Sequence, residues 1–286
     1  MRMPGPAPVV VGVNGTSSGL AAVRLGAREA VARGQSLRIL HVFAWPGSRS
    51  FDDAPDWATA RHQAGRIVAE AVATAARTVP GVQVEGLLTD GQPVRELLRQ
   101  SRTADLIVLG GDDLAMSPRL PADSVLVQTV SRARCPVVVA RGNRPPSGPL
   151  LTAVDGSPSS LLALRMAAAE GRRRGVPLEV AHVVGHDDDR ETGRRLLESA
   201  LATVGGLAGA RTRVMVGEAA PILVRASQRA RMMIVGPRGI SGGSLLGEVA
   251  QQLLRRCACP TVFVHGTPAG KSSPAGTVPS AGALMS

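Results

Sequence analysis

The chain has no tyrosine, two tryptophans and three phenylalanines among its 286 residues, so aromatic side chains make up only 2%. That scarcity removes the stacking platform on which single-strand nucleic-acid binders lay successive bases. Lysine is nearly absent too: Lys271 is the only one, and the formal charge of +11 comes from arginines scattered through helical stretches. The scatter reads as solvated helix faces rather than a phosphate-tracking surface, and no nucleic-acid partner is expected. Three cysteines, Cys135, Cys257 and Cys259, are too few for a disulfide framework and lack four-ligand zinc spacing. A reducing, cytoplasmic setting is the expectation. No run of about 18 uninterrupted apolar residues occurs, and the opening "MRMPGPAPVVVGVNG" reaches a strand too early for a signal peptide. No membrane partner is expected.

What is present is a repeat. "GVNGTSSGLAAVRLGAREAVARGQSLRILHVF" from Gly12 aligns without a gap on "AVDGSPSSLLALRMAAAEGRRRGVPLEVAHVV" from Ala153. Gly15 falls on Gly156, Arg24 on Arg165, Gly34 on Gly175 and His41 on His182, while Cys135-Pro136 later matches Cys259-Pro260 at a shorter offset. The chain is a tandem duplication whose second copy is shorter in its middle. Each copy alternates apolar strands with helical periods: strands at 8–15, 37–43, 82–89, 104–110 and 135–141, then at 149–156, 177–184, 210–217, 231–236 and 260–266. Apolar strands separated by helices predict an α/β fold, two tandem doubly wound five-stranded parallel sheets with helices on both faces. With a strand order of 3-2-1-4-5, a ligand crevice opens at the carboxyl ends of strands 1 and 4. The expected domains are 1–141 and 150–266, joined by a linker at 142–149 and followed by a disordered tail at 267–286.

The stretch "MMIVGPRGISGGSLLGEVAQ" (232–251) has the form of a phosphate cradle, an apolar strand opening into glycines before a helix. Around it, "VGVNGT" and "TAVDGS" end the first strands, His41-Val42 and His182-Val183 sit in the second, and "CPVVV" and "CPTVF" form the last. In these motifs both copies resemble the universal stress protein family, over nearly all of residues 8 to 266. The resemblance implies an adenine-nucleotide site in the family's ATP-binding branch, marked by G-x2-G-x9-G-[ST] after strand 4. It also implies that the apolar last strands pair antiparallel across the duplication, which would close two aggregation-prone edges into an intrachain pseudo-dimer, standing alone or as a homodimer.

Carried onto the second copy, the resemblance gives Val154 and Asp155 at the end of strand 1 and the backbone of Val183 to the adenosine. Gly236, Arg238 and Gly239 fall to the phosphates, with Gly247, Glu248 and Val249 where the loop enters its helix. Two departures weaken this site: seven residues separate Gly239 from Gly247, and Glu248 stands in the hydroxyl place, where a carboxylate competes with phosphate for the helix dipole. The first copy departs further, with Asn14 for the acid, Asp113 and Asp123 for two glycines, and only Ser124 retained. Asp112, Asp113 and Asp123 read as a solvated acidic loop and no metal site is expected. His41 and His182 lack a nucleophile partner, and the cysteines read as small buried hydrophobes, so no catalytic residue is expected.

The expectation is therefore a non-enzymatic stress protein that binds ATP, with or without Mg, weakly in its second domain only, and so biases association with a protein partner. The alternative is a nucleotide-free interaction scaffold. An enzyme of the adenine-nucleotide alpha-hydrolase type would need an S-G-G-x-D-S loop after strand 1, which "VDGSPSS" does not supply.

Overall fold

The computed structural model describes residues 7–44, 56–111, 120–121, 123–142, 148–207, 209–239 and 246–265. The sequence-predicted linker in part, the tail, Asp112, Asp113 and the Gly242-Gly243 segment lie outside these residues. The first half runs β1 (Val9–Gly12), α1 (Ser17–Arg33), β2 (Leu37–Phe43), α2 (Trp57–Thr78), β3 (Val84–Asp90), α3 (Pro93–Gln100), β4 (Leu106–Gly110), α4 (Val125–Arg132) and β5 (Val137–Ala140). The second half repeats it as β6 (Leu150–Ala153), α5 (Pro158–Arg174), β7 (Leu178–Val184), α6 (Arg190–Val204), β8 (Arg211–Val216), α7 (Ala219–Ser227), β9 (Met232–Val235), α8 (Glu248–Arg256) and β10 (Thr261–Phe263).

Repeated sequence produces repeated local structure. Thr16 caps α1 by accepting from the Gly19 N–H at 3.2 Å, and Ser157 caps α5 by accepting from Ser160 at the same distance. Gly34 and Gly175 end the two helices in the left-handed conformation, φ 64° and 61°, which a side chain would resist. Neither helix has a strong hydrophobic stripe, because small residues such as Ala22, Ala27, Ala163 and Ala167 let it lie close on the sheet, fully buried.

The strand order is β3-β2-β1-β4-β5-β10-β9-β6-β7-β8, so each half has the expected 3-2-1-4-5 arrangement and the two fuse into one ten-stranded sheet. Pairing is parallel within each half; β5 and β10 alone are antiparallel, with Val138 opposite Val262 and Val137 opposite Phe263. Because Val138 and Val262 are equivalent positions of the repeat, a pseudo-two-fold axis passes between them. The two apolar edges thereby cover each other. One core layer packs α1, α2, α5 and α6 against the sheet, and the other packs α3, α4, α7 and α8, each layer continuous across both halves.

A second contact near this axis corrects the reading of the helix arginines as solvated. Glu29 and Arg33 of α1 are the repeat equivalents of Glu170 and Arg174 of α5. Across the axis, Arg33 meets Glu170 at 2.5 Å and Arg174 meets Glu29 at 2.6 Å, a reciprocal exchange with both glutamates 5% exposed or less. Arg33 also reaches Asp105 at 2.8 Å. Burial acts to raise the Glu170 pKa, but the Arg33 charge and the bonds from Arg173 and Arg174 outweigh it and hold the carboxyl below its ordinary value. No helix among the described residues is long and apolar enough to cross a membrane.

Candidate functional site

The connections leaving β6 and β9 turn in opposite directions, and a cleft of about 490 Å³ opens at their carboxyl ends. All nine residues singled out from sequence line it: Val154 and Asp155 after β6, Val183 in β7, Gly236, Arg238 and Gly239 after β9, and Gly247, Glu248 and Val249 at the start of α8.

The β6 side is held by its own turn. Asp155 Oδ1 accepts from the Ser157 N–H at 3.0 Å, while the Asp155 N–H donates to Ser160 Oγ at 3.3 Å. Gly156 makes this turn possible with φ 85°. His182 Nδ1 lies 2.7 Å from the Val154 carbonyl. A carbonyl can only accept, so Nδ1 carries the proton and the ring ties β7 to the strand end. His41 does the same to Val13 in the first half at 2.8 Å. The matched histidines are thus structural pins. Ser160 and His182 belong to the cleft wall and were not picked from sequence; their signal was a hydroxyl five residues after Asp155 and the repeat position of the histidine.

On the β9 side the glycines mark close approaches. A Cβ on Gly236 would overlap Ser159, including its carbonyl carbon at 2.8 Å. A Cβ on Gly239 would stand 2.8 Å from Asp155 Oδ2, so this glycine directly faces the strand-end acid. The Gly247 N–H donates to the Pro237 carbonyl at 2.9 Å, so the start of α8 is tied to the turn after β9. Among the described residues no side chain caps the first N–H groups of α8. Arg238 and Glu248 are exposed at the cleft, and Glu248 stands in the first turn of α8.

The first half has the matching cleft at about 240 Å³, half the volume, with Asn14, His41, Gly110 and Ser124 on its walls. Asn14 is turned inward on its own loop, its Oδ1 accepting from Thr16 Oγ1 at 2.7 Å. Ser124 caps α4 through the Val127 N–H. Asp123 is exposed. Among the described residues no group of three or more His, Cys, Asp or Glu side chains could hold a metal ion.

All three cysteines are free and buried. Burial, with Asp105 nearby, pushes the Cys135 thiol up to about 12. Cys257 and Cys259 lie 3.9 Å apart, and the contact with Cys257 together with burial raises the Cys259 pKa. Cys135 and Cys259 are therefore protonated packing groups at neutral pH.

The family model described as the universal stress protein family matches residues 7–141 and again 147–265. A universal stress protein of Mycobacterium tuberculosis is 31% identical over 291 aligned positions, covering 90% of this chain and 96% of that protein. One from Mycolicibacterium smegmatis is 30% identical with the same coverage. Among solved structures, a universal stress protein from Archaeoglobus fulgidus superposes with a TM-score of 0.69 at 18% identity, covering 90% of this chain and 98% of that one. Matched in both halves by the family model and along nearly its whole length by two-domain relatives, the chain belongs to the universal stress protein family.

Proposed function

We propose that this chain is a non-enzymatic, cytoplasmic stress-response protein whose second half binds an adenine nucleotide, ATP with its Mg, and that occupancy biases association with a protein partner. The observation that carries the reading is the Asp155–Gly239 apposition across one 490 Å³ cleft. It puts a carboxylate suited to ribose or base hydrogen bonds beside a stretch of backbone that has no Cβ to exclude a phosphate. The group fits the residues present. Gly236, Gly239 and Gly247 leave backbone free for close approach, Arg238 supplies an exposed cation, and the uncapped start of α8 offers N–H donors. ATP would bring the negative charge that these donors attract. Asp155 would orient the nucleoside, and the Val183 segment, pinned through its neighbour His182, would form the wall beside it.

Glu248 opposes this. An exposed carboxylate about 4 Å from a phosphate costs roughly a factor of five in affinity at high effective dielectric. Glu248→Ser is therefore expected to tighten ATP binding about fivefold. The test is thermal melting with and without ATP–Mg, because a ligand bound only by the folded state raises the midpoint. No shift in either the parent chain or Glu248→Ser would favour the nucleotide-free scaffold.

For the first half we propose no nucleotide. Its cleft is half the size, Asn14 offers an amide where the second half has an acid, and the loop sequence carries Asp112 and Asp113. Charge repulsion and lost volume act in the same direction.

A further inference from the structure

Between the two halves lies a groove of about 720 Å³, larger than either strand-end cleft. The end of α4 gives it Arg132, the turn between α4 and β5 gives it Arg134, α5 gives it Arg165, and the turn after β9 gives it Arg238. All four arginines are exposed, and among the described residues none makes an ion pair. Arg132 has a neutral partner, Gln128, at 3.3 Å. Among the described residues no aspartate or glutamate lines the groove, although elsewhere in the fold arginines are regularly matched with carboxylates. His265 lies at its edge. Burial, with the Arg238 charge, lowers the His265 pKa to about 4 against the bond the ring donates to the Val130 backbone, so the ring is neutral and the positive charge is that of the arginines.

Between the charges the walls are apolar: Leu161 and Leu162 on one side, Pro237 and Val264 on the other. Among the described residues no phenylalanine, tyrosine or tryptophan lines the groove to stack a base. Four guanidinium groups without a carboxylate partner among the described residues, set over aliphatic walls, suit alternating carboxylate and aliphatic side chains better than a phosphodiester backbone. The chain's own residues 266–286 include Lys271 and no acidic residue, so they lack the complementary charge.

We propose that this groove docks an acidic, aliphatic-rich segment of a partner protein, with Arg134 and Arg165 as its main charge anchors. This gives chemistry to the partner invoked above. It rests on the nucleotide reading only through Arg238, which lines both the groove and the nucleotide cleft, so that ATP and the segment compete for one guanidinium.

The test is fluorescence anisotropy of the 286-residue chain with a labelled peptide of alternating glutamate and leucine. Binding is expected, weakened about tenfold or more by the double variant Arg134→Glu/Arg165→Glu and by glutamine in place of the peptide's glutamates. Added salt should also weaken it. Neither arginine lines the nucleotide cleft, so the variant should melt at the parent temperature and keep its ATP-induced shift. That separates failure of the groove from failure of the nucleotide site. Absence of peptide binding, equal binding of the glutamine peptide, an undiminished double variant, or an oligothymidine bound as tightly as the peptide would each overturn the proposal. ATP should lower peptide affinity about threefold, and an unchanged affinity in a chain that binds ATP would overturn the sharing of Arg238.

Discussion

Replacing Glu170 with glutamine is expected to destabilise the chain by about 3 kcal/mol, because it removes one charge from a buried reciprocal network and leaves its partners behind. Glu170 accepts from Arg33 at 2.5 Å and from Arg174 at 2.8 Å, and also from Arg173. Arg33 and Arg174 are only 11% and 16% exposed, so water cannot replace the lost carboxylate fully. Glu29 and Asp105 remain as partial partners, which keeps the loss at the lower end of the range for a broken buried pair. Glu29→Gln should cost a similar amount by the pseudo-symmetry. The double variant should differ from the sum of the two, since both glutamates share the same arginines.

The pH dependence has a definite sign. The folded pKa of Glu170 is depressed, so its contribution is fully present above the unfolded glutamate value of about 4.3 and is lost as pH falls through the folded value. Urea unfolding of parent and Glu170→Gln should therefore show the full gap near neutral pH and a shrinking one in acid. An equal midpoint for both proteins at neutral pH would mean that the network contributes nothing to holding the halves together.

Gly239→Asp is expected to weaken ATP binding by more than about thirtyfold, or ~2 kcal/mol. The new Cβ would stand 2.8 Å from Asp155 Oδ2, and the new carboxylate would repel both Asp155 and an incoming phosphate. Gly239 does not have a positive φ and is exposed, so the backbone accepts aspartate and the overlap falls on a side-chain oxygen, which keeps the loss in melting temperature small beside the loss in ATP affinity. Gly239→Ala adds the Cβ without the charge, and its smaller loss would apportion sterics and repulsion. Unchanged ATP affinity in Gly239→Asp would separate this glycine from the nucleotide.

The sequence made the fold legible because the duplication was nearly gapless over its first two strands and first helix. One alignment thus predicts two equivalent units, while their meeting at the "CPVVV" and "CPTVF" edges is what the family resemblance implies, in keeping with the hazard of two open apolar edges. The reciprocal pairs of Glu29, Arg33, Glu170 and Arg174 escaped notice because a Glu and an Arg four apart on a helix ordinarily mark a solvated face. Their signal lay in the repeat: a self-complementary Glu-x3-Arg at equivalent positions pairs with its own copy across a two-fold axis. In the site, residues at strand ends were legible because the crevice position follows from strand order. The pinning by His182 and the support from Ser160 were not, since they depend on side-chain directions that spacing leaves open. The seven-residue gap between Gly239 and Gly247 could be counted but not interpreted; the structure adds the Gly247–Pro237 hydrogen bond.

Calorimetric titration of the 286-residue chain with ATP–Mg tests the central claim most directly. The account predicts at most one site per chain, retained when Asn14 is changed to alanine and lost in Gly239→Asp, with Glu248→Ser binding about fivefold more tightly than the parent. Two equivalent sites, or a single site that survives Gly239→Asp and disappears with Asn14→Ala, would contradict it.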